Sequence, residues 1–315
     1  MKERIFQHKI TSVLLTLLVC ALWGSLYPFI KIGYAEFAID AGDVPSIMLF
    51  AGLRFAVSGG VLIGLLALKE KKNTFPRKTQ WTPILLVALC TIVLHYGLTY
   101  VGLSLGEGSK SAIIKQVGFL FLSCFSFLFV KDERFSPVKL IAGLLGFAGI
   151  VITAMDGTRV TFAVGDVLLL LSSFCTICST VISKHSFSRI DPVRLVAFSQ
   201  FFGGACLLLG GICLGGRIPR ITPTAILVFI YICASSIAAY LLWNLLLKHN
   251  SLAKLSIIKF SEPLFAVLFS GLWLGETIWK LTYLFALLVV LAAILLCNLP
   301  LPSLRKQSQT EGKNI

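Results

Sequence analysis

Two near-copies of one motif carry the most pointed chemistry in the chain. Lys110-Ser111-Ala112-Ile113-Ile114-Lys115 and Lys254-Leu255-Ser256-Ile257-Ile258-Lys259 lie about 144 positions apart, each opening a long apolar segment. The outer lysine starts the apolar run and the inner one lies more than a helical turn inside it. An ammonium at such depth costs roughly 2.5–3.5 kcal/mol on insertion scales, so it is expected to face a wet cavity or a partner. Glu262 follows Lys259 by three residues, on the same helical face, and stands immediately before Pro263. Lys115 and Lys259 are therefore candidate anion-binding cations, and Glu262 is a candidate proton-coupling carboxylate that neutralises Lys259 until it is protonated. The plainer alternatives are that each lysine is internally paired or snorkels to a helix end, and that Glu262-Pro263 only bends its helix.

A third cation, Arg54, lies deep in another apolar run, opposite the neutral Gln200 when the two halves of the chain are aligned. A guanidinium binds carboxylates and phosphates bidentately, but a scaffold role, bonding helix-end carbonyls or a structural carboxylate, is the favoured reading. Tyr96 maps onto Tyr240, and Tyr100 onto Asn244, at the same offset as the lysines; His95 and Trp243 stand beside them. Aromatic walls with a few polar groups are what small-molecule sites look like. The expected substrate-binding set is Lys115, Lys259, Arg54, Tyr96, Tyr240, Trp243, Asn244 and Gln200, with Glu262 and His95 as the proton-coupling candidates. His95 reads first as a neutral, hydrogen-bonded packing residue, and the one-turn stripe Trp23, Tyr27, Lys31 reads first as core packing.

Only membrane helices can hold these groups. Hydrophobic residues make up 57% of the chain and charged residues 13%, about half the charged share of soluble domains, and the mean hydropathy is +0.91. A helix needs about 20 apolar residues to cross the hydrocarbon. Such runs recur over about 11–33, 45–68, 82–104, 108–130, 136–155, 163–184, 192–215, 222–247, 252–274 and 278–298. The first run has no A-x-A-like cleavage site and is read as a retained helix. The formal charge of +14 would suggest nucleic acid in a soluble protein; here most Lys and Arg fall on alternate loops, so both termini are expected in the cytoplasm and no nucleic-acid partner is expected. The nine cysteines all lie in apolar runs, where they act as small hydrophobes; Cys175-x-x-Cys178 alone is a weak metal or redox signal.

Five spans per half is an odd number, so the second copy enters the bilayer from the opposite side. The expected fold is all-α integral membrane, with ten transmembrane helices as two inverted-topology five-helix repeats, 11–155 and 163–298, between tails 1–10 and 299–315. Many secondary transporters are built this way, with the substrate site near the midplane between the repeats.

The chain resembles the drug/metabolite transporter superfamily, and within it the EamA-type members with two five-helix domains. The residues that carry the resemblance are Trp23-Gly24 followed by Lys31, Leu53-Arg54-Phe55, Asp132-Glu133, the glycines from Gly143 to Gly149, Glu262-Pro263 and Leu274-Gly275-Glu276. In organophosphate-exchanging relatives of the superfamily, lysines on the fourth and ninth helices bind the anionic group, and Lys115 and Lys259 are similar to them in helix position. Two departures stand out: Val130-Lys131-Asp132-Glu133 replaces the usual Leu-Gly-Glu of the first half, and the inner lysine pair is not general in the family.

The resemblance and the residues together imply a secondary transporter that moves a small polar or amphipathic metabolite, anionic in the sharper form, by alternating access. A drug or amino-acid exporter without anion preference is the alternative. A membrane-embedded transferase, with Glu262 or Glu107 as base, is the more distant one. No G-x-x-x-x-G-K-[ST] loop is present, and neither a cofactor nor a metal is expected. The partners expected are a small-molecule substrate and the lipid bilayer of a cell membrane, bacterial in type; monomer and homodimer stay open.

Overall fold

The computed structural model describes residues 6–40, 42–70, 74–104, 108–131, 133–154, 164–275 and 281–298. Because a bilayer offers no water to backbone groups, an apolar chain must satisfy its amides within helices, and among the described residues every regular element is helical. In chain order these are α1 (Lys9–Phe37), α2 (Val44–Glu70), α3 (Trp81–Val87, Ala88–Leu94 and His95–Ser104 running on as one rod), α4 (Gly108–Phe125), α5 (Pro137–Ala154), α6 (Val164–Ser186), α7 (Pro192–Cys213), α8 (Pro223–His249), α9 (Leu252–Lys259 and Glu262–Leu274) and α10 (Leu281–Asn298). Seven of them, α1 to α3 and α6 to α9, are long and apolar enough to cross a membrane, by length and composition; shorter apolar stretches lie in α4 (Lys115–Leu128), α5 (Pro137–Gly149) and α10 (Leu284–Leu296).

The helix ends follow from local chemistry. Asp191 accepts the Val193 N–H at 2.9 Å and Thr222 accepts the Ala225 N–H at 3.0 Å, each side chain satisfying a first-turn donor ahead of a proline that needs none. Gly275, at φ 67°, closes α9 in the left-handed region. Two irregularities sit mid-rod. The middle section of α3, Ala88–Leu94, is π-helical, and α9 breaks after Lys259 in a tight turn, with Phe260 N–H on Ile257 O and Ser261 N–H on Ile258 O. Pro263 explains the break, since it has no N–H to give to the Lys259 carbonyl.

Packing is closest between α2 and α7. A Cβ placed on Gly52 would lie 2.2 Å from Leu208 N, one on Gly59 2.3 Å from Phe201 N, one on Gly204 2.2 Å from Ala56 N and one on Gly211 2.6 Å from Leu49 N. The backbones touch through glycine, as small residues permit in membranes, and the contacts run in opposite order along the two helices. The helices are antiparallel. The same holds for α5 against α10, where Gly149 meets Val290 and Ala286 while Ala142 packs with Ala293. Helix α1 lies against α8 and α9, and α6 against α3 and α4, the same relation with the halves exchanged.

One end of the bundle is tied by a carboxylate. Glu133, in the turn between α4 and α5, accepts from Ser126 Oγ at 2.6 Å, Ser251 Oγ at 3.0 Å, Lys139 Nζ at 3.4 Å and the N–H groups of Leu252 and Ala253 at the start of α9. Lys184 Nζ donates to Leu247 O at 2.7 Å and Asn250 O at 2.5 Å at the end of α8. Each charge thus has the sign that its helix terminus favours. Burial pushes the Glu133 carboxyl up, but the Ser126 hydroxyl, the Lys139 ammonium and the two backbone donors outweigh it and hold the group below its ordinary value. A folded-state value below the unfolded one stabilises the protein at neutral pH, and that stabilisation is lost as pH falls through the folded-state value. Melting temperature should therefore decline on acidification, and Glu133→Gln should melt lower at neutral pH with a shallower acid decline. An unchanged slope in the variant would remove Glu133 as the cause.

Candidate functional site

The site is built on a cavity of about 410 Å³, a size that small-molecule pockets share. Every residue of the expected substrate-binding and proton-coupling sets, Lys115, Lys259, Arg54, Tyr96, Tyr240, Trp243, Asn244, Gln200, Glu262 and His95, lines it. Helices α1 to α4 supply one part of the wall and α6 to α9 the other.

Lys259 is 4% exposed. Its Nζ stands 3.1 Å from the Trp23 ring centroid, 5.4 Å from that of Phe119 and 5.5 Å from that of Trp243, an aromatic enclosure of the kind that attracts an ammonium through ring quadrupoles. The same ammonium is ion-paired with Glu262. The break in α9 places the two on successive helical segments, with the carboxylate at the N-terminal turn of the second, the end that favours negative charge. Lys259 is thus closed off by its own neighbours. Lys115 is half-buried in the cavity wall and makes no such ion pair among the described residues.

Arg54 is 2% exposed. Its Cζ lies 4.2 Å from the Phe55 ring centroid and 5.4 Å from that of Tyr96, and its Nε makes no hydrogen bond. No carboxylate among the described residues pairs with it, so the favoured scaffold reading gains no partner from the structure. Gln200, at 1% exposed, has neither its amide nitrogen nor its amide oxygen bonded. Tyr96 and Tyr240, equivalent positions of the two halves, meet hydroxyl to hydroxyl at 3.2 Å, and Asn244 Nδ2 donates to Tyr240 O at 2.9 Å.

His95 is tied to α6. Its Nδ1 lies 2.9 Å from Ser172 Oγ, 3.1 Å from Thr176 Oγ1 and 3.2 Å from Ser172 O. These three contacts fasten the ring to α6 and fix its orientation at the cavity wall.

The stripe Trp23, Tyr27, Lys31 lines the cavity, while Trp23 also packs against two clusters of the core. Trp23 supplies the ring nearest to Lys259, because the stripe of α1 faces the break in α9. Residues not singled out also face the cavity: Tyr34, Gln116 and, along α6, Thr176, Ser179, Thr180 and Ser183. Hydroxyls at one-turn spacing on α6 were the legible signal for the last group. Glu107 lies outside the described residues. Cys175 and Cys178 are free thiols, and among the described residues no three His, Cys, Asp or Glu side chains gather into a metal site.

The EamA-like transporter family matches this chain twice, over residues 10–155 and 163–298. The chain belongs to that family. An uncharacterized transporter of Bacillus subtilis, YvbV, is 31% identical over 296 residues, 91% of each chain. The inner membrane transporter YedA of Escherichia coli is 27% identical over 286 residues, covering 88% of this chain and 87% of its own. A solved crystal structure at 17% identity covers 93% of this chain and 99% of its own with a TM-score of 0.76, which shows the fold alone. This EamA-family chain is a multi-pass membrane protein of the transporter type.

Proposed function

We propose that this protein is a secondary carrier that moves a small polar or amphipathic metabolite across a cell membrane by alternating access, with the cavity as its substrate site. The observation that carries the reading is an aromatic-walled cavity whose described lining holds the cations Lys31, Arg54, Lys115 and Lys259 and one carboxylate, Glu262, with groups drawn from both halves of the chain. Deep charges in a membrane protein mark substrate or ion pathways, and a site shared between repeats is where rocking exposes a ligand to one side at a time.

Ten spanning helices in two inverted repeats, 11–155 and 163–298, complete the proposal. The antiparallel packing of α2 on α7 and of α5 on α10, each joining matched helices of the two halves, supports inversion. The alternate placing of Lys and Arg favours both termini in the cytoplasm. Glu262 sits where protonation would release Lys259, which makes it the residue to examine for proton coupling.

Reconstituted into proteoliposomes, the protein should show saturable uptake that a trans-side substrate accelerates. Lys115→Ala should reduce that flux by about tenfold or more, the scale of one lost charged contact, with membrane insertion and abundance unchanged. Flux that rises linearly with concentration and shows no trans-acceleration would point to a channel or a non-transporting scaffold instead.

A further inference from the structure

We infer that the ligand of the cavity is a small dianion, held by Arg54 and Lys115 with the Gln200 amide, and that Lys259 is not among its cations. The inference rests on the carrier reading above and gives it a substrate class.

Of the four cations on the cavity wall, Lys31 is exposed at the rim, where water screens it. Lys259 and Glu262 neutralise each other, and the face of Trp23 closes over the ammonium. Arg54 and Lys115 remain, both in the wall, and neither is ion-paired among the described residues; Lys115 is attracted by Glu262 and repelled, more weakly, by Lys259 and Arg54. Among the described residues, Arg54, Lys115 and Lys259 against the one carboxylate Glu262 leave two positive charges in excess.

An occluded carrier must bring its loaded site out of contact with bulk water, and an uncompensated charge in that state is costly. A monoanion would leave one cation bare, and a zwitterion would leave both. A dianion brings the sum to zero. The hydrogen-bonding groups agree with a planar or tetrahedral anion. The Arg54 guanidinium has an unused Nε donor, Gln200 offers an unused amide N–H pair at 1% exposure, and Gln116 adds an unbonded buried oxygen for a ligand hydroxyl. The arrangement is not the symmetric lysine pair that the repeated motif suggests, because one lysine already has its anion.

The test uses the full chain purified in detergent, with ligand binding read as a rise in melting temperature, which follows RT ln(1 + [L]/Kd). The probes are succinate as a two-ended dianion, glycerol phosphate as a single-group dianion, acetate as a monoanion, alanine as a zwitterion and choline as a cation. The two dianion arms separate dicarboxylates from phosphate monoesters, and a shift with either one supports the inference. Arg54→Gln and Lys115→Gln should each weaken dianion binding about tenfold or more. The double variant Lys259→Gln with Glu262→Gln should keep the order of dianion over monoanion. Should Arg54→Gln fail to give monodisperse protein, Lys115→Gln decides alone.

Equal or tighter binding of acetate, alanine or choline would overturn the inference, as would full dianion affinity in Lys115→Gln or loss of the order in the double variant. Saturable counterflow of a monoanion or zwitterion would sink the dianion and leave the carrier reading standing. Dianion binding without counterflow of any ligand would sink the carrier and leave the site.

Discussion

Gly204→Val should leave the chain unable to form its closest helix contact. A Cβ at Gly204 would lie 2.2 Å from Ala56 N, 2.7 Å from Phe55 C and 2.9 Å from Ala56 Cα. These are backbone atoms of α2, which have no rotamer to yield, so α2 and α7 must separate along their length. Overpacking of a core costs about 1–3 kcal/mol where side chains can give way; here the expected loss lies at or above the top of that range. Size-exclusion profiles in mild detergent should show aggregated or absent protein. Gly64 provides the contrast, since nothing lies within 4 Å of a Cβ placed there. Gly64→Ala should be neutral or stabilising by about 0.5–1 kcal/mol, from helix propensity alone. Monodisperse, fully stable Gly204→Val would show that α2 and α7 do not depend on backbone contact.

The second large effect is at the ion pair. Lys259→Ala leaves the Glu262 carboxylate, 13% exposed, in the cavity wall with its counterion gone. Removing one partner of a buried pair costs about 3–5 kcal/mol, whereas removing both can be nearly neutral. Thermal unfolding in detergent at neutral pH should therefore rank wild type above the double variant Lys259→Ala with Glu262→Ala, and the double variant above Lys259→Ala alone. A double variant no more stable than the single one would show that the two charges are not coupled, and that the cost of Lys259→Ala comes from lost packing.

How far the sequence could be read varies with the feature. The helical rods follow from apolar runs bounded by charges, and the break in α9 follows from Pro263, a covalent fact. The π-helical section of α3 left no mark in the residue pattern. There Ile92 and the Ala88 carbonyl lie against Gly203 of α7, a contact between segments far apart in the chain. The lysine motif was legible as a repeat, but the different states of Lys115 and Lys259 were less so. Gly118 stands at the offset where Glu262 stands in the second copy, which hints at the asymmetry. That Gly118 instead packs on Ser173 of α6 is a fact of the fold. The Trp23 stripe both packs and lines the cavity; packing and cavity-lining rings share the same spacing, and only the placement of α9 tells them apart.

The sequence by itself determined that this chain is a bundle of apolar helices, where its deep charges lie along them, and that its halves share one plan. Those outcomes follow from backbone hydrogen bonding and charge hydration, which act along a single segment of chain. The tertiary structure alone decided that Lys259 is ion-paired and enclosed by Trp23, Trp243 and Phe119, that Arg54 and Lys115 have no ion pair among the described residues, and that all three face one cavity. Coulomb and ring interactions act over a few ångströms, and those separations are set by how α1, α2, α4 and α9 pack, not by their order in the chain.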